Sequence, residues 1–146
     1  MNLPSNPLSF DQIVRFRLRL RAEAAGGMTT VAREMGQSHA WLTRKLSDDY
    51  SAVENKRVLL TRDVDRVLHH LRLPPSAVLD PVLLEGDEDL LQQLNQPGRH
   101  LRAHVVADLG KRAEEALARL LGQGLAVEDA EHEIILTGDG FDLIAT

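Results

Sequence analysis

The sequence predicts a mainly α-helical chain divided into two small domains, and three observations carry that expectation. Aromatic residues make up only 3% of the 146 residues, so a core has to be built from Leu, Val, Ile and Ala, which suits small helical domains. Apolar residues recur at helical spacing in runs bounded by capping residues and glycines. Charge is split unevenly: residues 1–75 carry 12 Lys and Arg against 8 Asp and Glu, and residues 76–146 carry 5 against 14. Such asymmetry predicts different partners for the two halves. The chain has no Cys, which excludes disulfides, a thiol nucleophile and Cys-based zinc sites. No apolar run approaches the roughly 20 residues that span a bilayer. The start Met1-Asn2-Leu3-Pro4 lacks a signal-peptide pattern, so a cytoplasmic location is expected, with no membrane partner.

Residues 1–8, with Pro4, Asn6 and Pro7, read as an extended arm. Ser9 and Gln12 have the spacing of a capping box and open a helix over Phe10–Ala25. Val14 to Arg21 alternates apolar and basic residues, a period that suits a strand. The stripe Ile13, Phe16, Leu20, Ala24, the capping box and the stop at Gly26-Gly27 argue for helix instead. A second helix is predicted over Thr29–Met35, a turn at Gly36-Gln37-Ser38, and a third helix capped by Ser38. Leu42 and Leu46 should face the core with Val31, Ala32 and Met35, leaving Trp41 and Lys45 on an outward face. Asp48–Leu60 reads as a loop. Thr61 is placed to cap a fourth helix with Val64, Val67, Leu68 and Leu71 inward, and Pro75–Leu79 starts a short fifth.

The acidic stretch Pro81–Glu88 marks the domain boundary, giving domains 9–84 and 87–146. Helices are predicted over Asp87–Leu94, Arg99–Leu109 and Lys111–Leu121, followed by strands Leu125–Val127 and His132–Leu136. Thr137 is placed to cap a last helix through Leu143. Three helices, a hairpin and a closing helix is the winged-helix order.

Two short helices joined by a tight turn within Met28–Leu46 form a helix-turn-helix signal, a motif that places its second helix in the DNA major groove. The stretch from Phe10 to about Leu84 resembles the lambda-repressor-like (Cro/XRE-type) helix-turn-helix domain. Val31-Ala32-Arg33-Glu34-Met35-Gly36, the run Ser38–Ser47 and the run Leu60–Leu68 followed by Leu71-Arg72-Leu73-Pro74 carry that resemblance. It departs at Met28, where the family often has Gln, and at Asp48, where it often has Gly. Residues 87–146 resemble a winged-helix domain of bacterial regulators, through Ala116–Leu121 leading to Gly124-Leu125 and through Leu136-Thr137-Gly138-Asp139-Gly140.

The resemblance implies a sequence-specific transcriptional regulator, expected to be a repressor, acting on double-stranded DNA at the nucleoid. It implies base contacts from His39, Ala40, Thr43 and Arg44. Phosphate contacts are expected from Ser38 and Lys45, and from Thr29 and Thr30 at a helix start. Trp41 either packs over a gap between helices or lies along the sugar-phosphate backbone. Arg15, Arg17, Arg19 and Arg21 surround the first helix; most read as solvated, with Arg17 a phosphate candidate. A homodimer on a pseudo-palindromic site is expected, because one short helix reads too few base pairs.

The acidic half argues against itself as a DNA reader. Its wing carries Glu128, Asp129, Glu131 and Glu133, which phosphates would repel. Dimerisation or binding of a protein partner is expected there, with Leu83-Leu84, Leu90-Leu91 and Ile134-Ile135 as interface sources. An antitoxin-like or adaptor module whose acidic half binds a protein is the alternative. A third reading makes that half a nucleic-acid mimic that masks the basic half. His100 and His104, four apart on one predicted helix face, have a metal-ligand spacing without a third ligand, so no metal is expected. No phosphate loop, nucleophile elbow or coherent acid pair appears, so neither a cofactor nor an enzyme is expected.

Overall fold

The computed structural model describes residues 4–47, 59, 61–110 and 112–145. Among these the chain is mainly helical with one two-stranded antiparallel sheet. It divides into a front unit, Ser9–Val82, and a back unit made of Met1–Leu8 with Leu83–Thr146. The arm, expected outside both domains, therefore belongs with the back unit.

In the front unit α1 (Phe10–Ala24) begins at the Ser9–Gln12 capping box. Its buried face is Val14, Leu18 and Ala22, whereas Ile13, Phe16 and Leu20 are half-buried and Ala24 is exposed. The expected stripe is thus rotated around the helix. Both sets satisfy helical spacing, and the partners of α1 decide between them. α2 (Met28–Glu34) ends in a Schellman turn, with Gly36 N–H on the Arg33 carbonyl at 3.0 Å and Gln37 N–H on the Ala32 carbonyl at 2.9 Å. That turn requires a left-handed residue, and Gly36 supplies it at φ +73°. α3 (His39–Lys45) starts where the Ser38 hydroxyl accepts the Trp41 N–H at 3.0 Å.

The expected loop 48–60 lies, apart from Leu59, outside the described residues. α4 (Thr61–His70) has Thr61 as its first helical residue rather than its cap. It stops in a second Schellman turn in which Arg72 takes the left-handed conformation at φ +59°. The predicted fifth helix is a 3₁₀ helix, Pro75–Leu79. Val14, Leu18, Ala22, Val31, Ala32, Leu42, Leu46, Val67, Leu68 and Ala77 form one buried cluster.

The back unit contains α5 (Asp87–Leu94), α6 (Arg102–Leu109), α7 (Ala113–Gly122), β1 (Ala126–Glu128), β2 (Ile134–Leu136) and α8 (Gly138–Ala145). The strands pair in the register Ala126↔Leu136, Val127↔Ile135, Glu128↔Ile134. Residues 99–101, predicted as helix, instead run beside the hairpin. Leu101 bridges Glu133, Ile134 N–H donates to the His100 carbonyl at 2.8 Å, and Arg102 N–H donates to the His132 carbonyl at 2.8 Å. A strand partner distant in sequence satisfies those backbone groups, so the helix starts three residues late.

Thr137 explains the Leu-Thr-x-x-Gly pattern. Its hydroxyl donates to the Gly124 carbonyl at 2.6 Å and accepts the Gly140 N–H at 3.2 Å, opening α8. Gly140 lies against the Leu125 carbonyl, where any Cβ would collide with backbone. The arm joins here too. Gly138 N–H donates to the Pro4 carbonyl at 3.2 Å, and the Asn6 amide donates to Asp139 at 3.3 Å. The back core contains Leu90, Leu91, Leu94, Val105, Leu117, Leu120, Leu125 and Ile134. Leu90, Leu91 and Ile134, expected as interface sources, are thus core residues; among that set Leu84 is exposed. No described helix is long and apolar enough to cross a membrane.

Candidate nucleic-acid interface

α3 is anchored on one side by Leu42 and Leu46, both fully buried. At 100° per residue Ala40 and Arg44 lie opposite that side, with Thr43 and then His39 on the flank leading back towards the core. All four are exposed, so the expected base-contact residues share one solvent face of a helix fixed from behind. Thr29 is exposed and Thr30 half-buried in the first turn of α2. The first intrahelical bond there is Val31 N–H to the Gly27 carbonyl at 3.0 Å, so earlier N–H groups have no acceptor within the helix. Ser38 is exposed, although its hydroxyl already serves α3 as a cap.

Two expected phosphate contacts are placed elsewhere. Arg17 is buried and its guanidinium donates to the Val78 carbonyl at 2.9 Å, a role inside the fold. Lys45 does not look outward: its Nζ lies 2.9 Å from Asp63, and the two side chains are only 14% and 7% exposed. Taking that ammonium to a phosphate would break a buried ion pair. Trp41 is half-buried against the front core, combining the packing role with one open edge. Lys45 Nζ and the Arg66 guanidinium lie 5.8 and 5.9 Å from its ring centroid.

Sequence reasoning missed how α1 supports α3. The α3 terminus leaves carbonyls without helical donors. Arg15 donates to the Lys45 carbonyl at 2.7 Å while Asp11 holds its Nε at 2.8 Å, and Arg19 reaches the Leu46 carbonyl at 3.5 Å. Cations at a helix C-terminus also oppose the negative end of the helix dipole. The alternating Arg pattern was the available signal; the partners are some 30 residues away and cannot be read from it. Arg62 and Arg66 of α4, both exposed, were also missed.

The acids of the back hairpin are largely paired or structural. Arg99 lies 2.6 Å from Glu131 and 3.6 Å from Glu133. Arg102 joins Glu114 at 2.8 Å and Glu128 at 2.7 Å. Asp129 accepts the Glu131 and Glu133 N–H groups, each at 2.9 Å, and so shapes the turn. The hydrogen bond to Glu131, with the charge of Glu133, raises the Arg99 pKa above the usual arginine value. Burial works against the Arg102 charge, but Glu114 and Glu128 outweigh it and its pKa is raised too. The His132 hydrogen bond, aided by Arg102, lowers the Glu128 pKa.

His100 is not on α6. Its Nε2 lies 2.8 Å from the Gln96 carbonyl, so it shares no helix face with His104. Among the described residues no group of three or more His, Asp or Glu could hold a metal ion. No protein-family model matches the chain, and no curated protein or solved structure does either.

Proposed function

We propose that the chain is a sequence-specific DNA-binding transcriptional regulator, a repressor that binds as a homodimer with α3 in the major groove. The observation that carries this reading is the division of α3 into a buried Leu42–Leu46 side and an exposed side bearing His39, Ala40, Thr43 and Arg44. Imidazole, hydroxyl and guanidinium groups read base edges, and Ala40 offers apolar contact to a thymine methyl. The Gly36 turn between α2 and α3, with α4 and the 3₁₀ helix after them, supports a lambda-repressor-like front unit. The order α5, α6, α7, β1, β2, α8 supports a winged-helix back unit. Its hairpin carries carboxylates, several of them paired with Arg99 and Arg102 from outside it, which favours dimerisation or protein binding over phosphate contact.

Selection from random duplexes tests this. The full chain should enrich an inverted repeat. Arg44→Ala should lose preference at one position per half-site, at a cost of about 1–3 kcal/mol if the contact is bidentate to guanine. Absence of any enriched motif would overturn the reading.

A further inference from the structure

We propose that Arg66 of α4, lying along Trp41, is a phosphate-binding residue that flanks α3, and that it takes the role the sequence assigned to Lys45. This rests on the reading of α3 as the recognition helix. Around α3 the core side is Leu42 and Leu46, and the side opposite is Ala40 and Arg44. Trp41 and Lys45 occupy one flank, which is where α4 brings Asp63 and Arg66. A helix with side chains is about 10–12 Å across. The major groove is about 12 Å wide, so its phosphate walls run beside the flanks of an inserted helix. A cation on a flank therefore meets phosphate, whatever the bases are.

Among the described residues two cations stand at that flank, and their surroundings separate them. Lys45 is held by buried Asp63. Arg66, one turn further along α4, is exposed, and no carboxylate among the described residues pairs with it. Its guanidinium lies 5.9 Å from the Trp41 ring centroid, within cation–π range. The neutral ring restrains the side chain without cancelling its charge. The planar fork of the guanidinium then remains open to bind phosphate in bidentate fashion.

Phosphate contact is independent of sequence, so the probe is a pool of random duplexes, titrated with the full chain at salt concentrations between about 50 and 200 mM. Each lost contact should reduce the slope of log K against log[salt] by about 0.9. Arg66→Ala is expected to weaken binding by about tenfold at low salt, equally on the pool and on any selected duplex. Arg66→Lys should restore most of the slope and part of the affinity, since the charge returns without the fork. Arg112→Ala, which removes an exposed arginine from the back unit, controls for net charge. A slope for Arg66→Ala equal to that of Arg112→Ala overturns the proposal while leaving the reading of α3 intact. A wild-type chain that binds no duplex sinks that reading and this proposal with it. Hydrogen exchange of the α3 amides, unchanged in Arg66→Ala without DNA, shows that α3 has kept its packing.

Discussion

The two units use arginine differently. In the front unit Arg15, Arg17 and Arg19 donate to the backbone carbonyls of Lys45, Val78 and Leu46, and Arg15 also pairs with Asp11. In the back unit Arg99, Arg102 and Arg119 pair with carboxylates. A carbonyl satisfies the N–H groups of a guanidinium without cancelling its charge, whereas a carboxylate does both. Cations held by carbonyls alone keep their contribution to a positive field. Those of the back unit are neutralised in place, beneath an excess of acid. Residues 9–82 carry 12 Lys and Arg against 9 Asp and Glu, and residues 83–146 carry 5 against 13. The difference teaches that partner chemistry decides where in each unit charge is left to act on a ligand.

The largest expected effect comes from the pair most fully withdrawn from water. Asp87 is fully buried at the start of α5. It accepts from Arg119 Nε at 2.9 Å and Nη2 at 2.8 Å, and from the Leu84 N–H at 2.9 Å. The hydrogen bond from Arg119 to Asp87 raises the pKa of that arginine, and a guanidinium keeps its charge even when such a partner is removed. Asp87→Ala should therefore destabilise the back unit by about 3–5 kcal/mol, the usual cost of breaking a buried ion pair on one side. Hydrogen exchange is the check, with amides of α5 and α7 accelerating more than those of α2 and α3. If Arg99→Ala, which removes an exposed pair, accelerates them as much, partner burial is not what separates these arginines.

Arg15→Met tests the front unit's use of arginine. The variant keeps the apolar stem and removes the donor to the Lys45 carbonyl. About 1 kcal/mol should be lost, the usual net contribution of one hydrogen bond, here to a part-buried carbonyl. Trp41, the single tryptophan, lies on α3, so its emission during urea unfolding reports the effect directly. A midpoint equal to wild type would mean that the α3 terminus is satisfied without α1.

These tests also bear on how much the sequence could say. The exposed face of α3 was legible because Ser38, Gly36, Leu42 and Leu46 fix its start, its turn and its buried side within eleven residues. The pattern of α1 was not. Ile13-Phe16-Leu20 and Val14-Leu18-Ala22 are equally periodic, and the choice between them rests on carbonyls and side chains brought in from far along the chain. Lys45 failed for the same reason, since nothing near it announces that Asp63 will be buried beside it. The segment 99–101 read as helix because its own residues allow one, while its backbone pairing is with Glu133 and Ile134. Local chemistry located the candidate interface, and long-range polar contacts decided which of its cations remain open.

The smallest effect sharpens the comparison at a single carboxyl group. Glu128, at the end of β1, faces Arg102 Nη1 at 2.7 Å and His132 Nδ1 at 2.9 Å. The hydrogen bond with His132, followed by the charge and hydrogen bond of Arg102, lowers its pKa below the ordinary glutamate value. A carboxyl group whose folded pKa lies below its unfolded one stabilises the fold above the unfolded value. It loses that contribution as pH falls through the folded value. The Glu128 carboxyl carbon, followed by NMR, should therefore titrate at lower pH than a free glutamate. In His132→Ala its midpoint should move up towards the ordinary value while remaining depressed by Arg102. A Glu128 midpoint unmoved by that substitution would assign the depression to Arg102 alone. Glu128 would then be held by arginine pairing, which sharpens the contrast with the carbonyl contacts of Arg17 and Arg19 in the front unit.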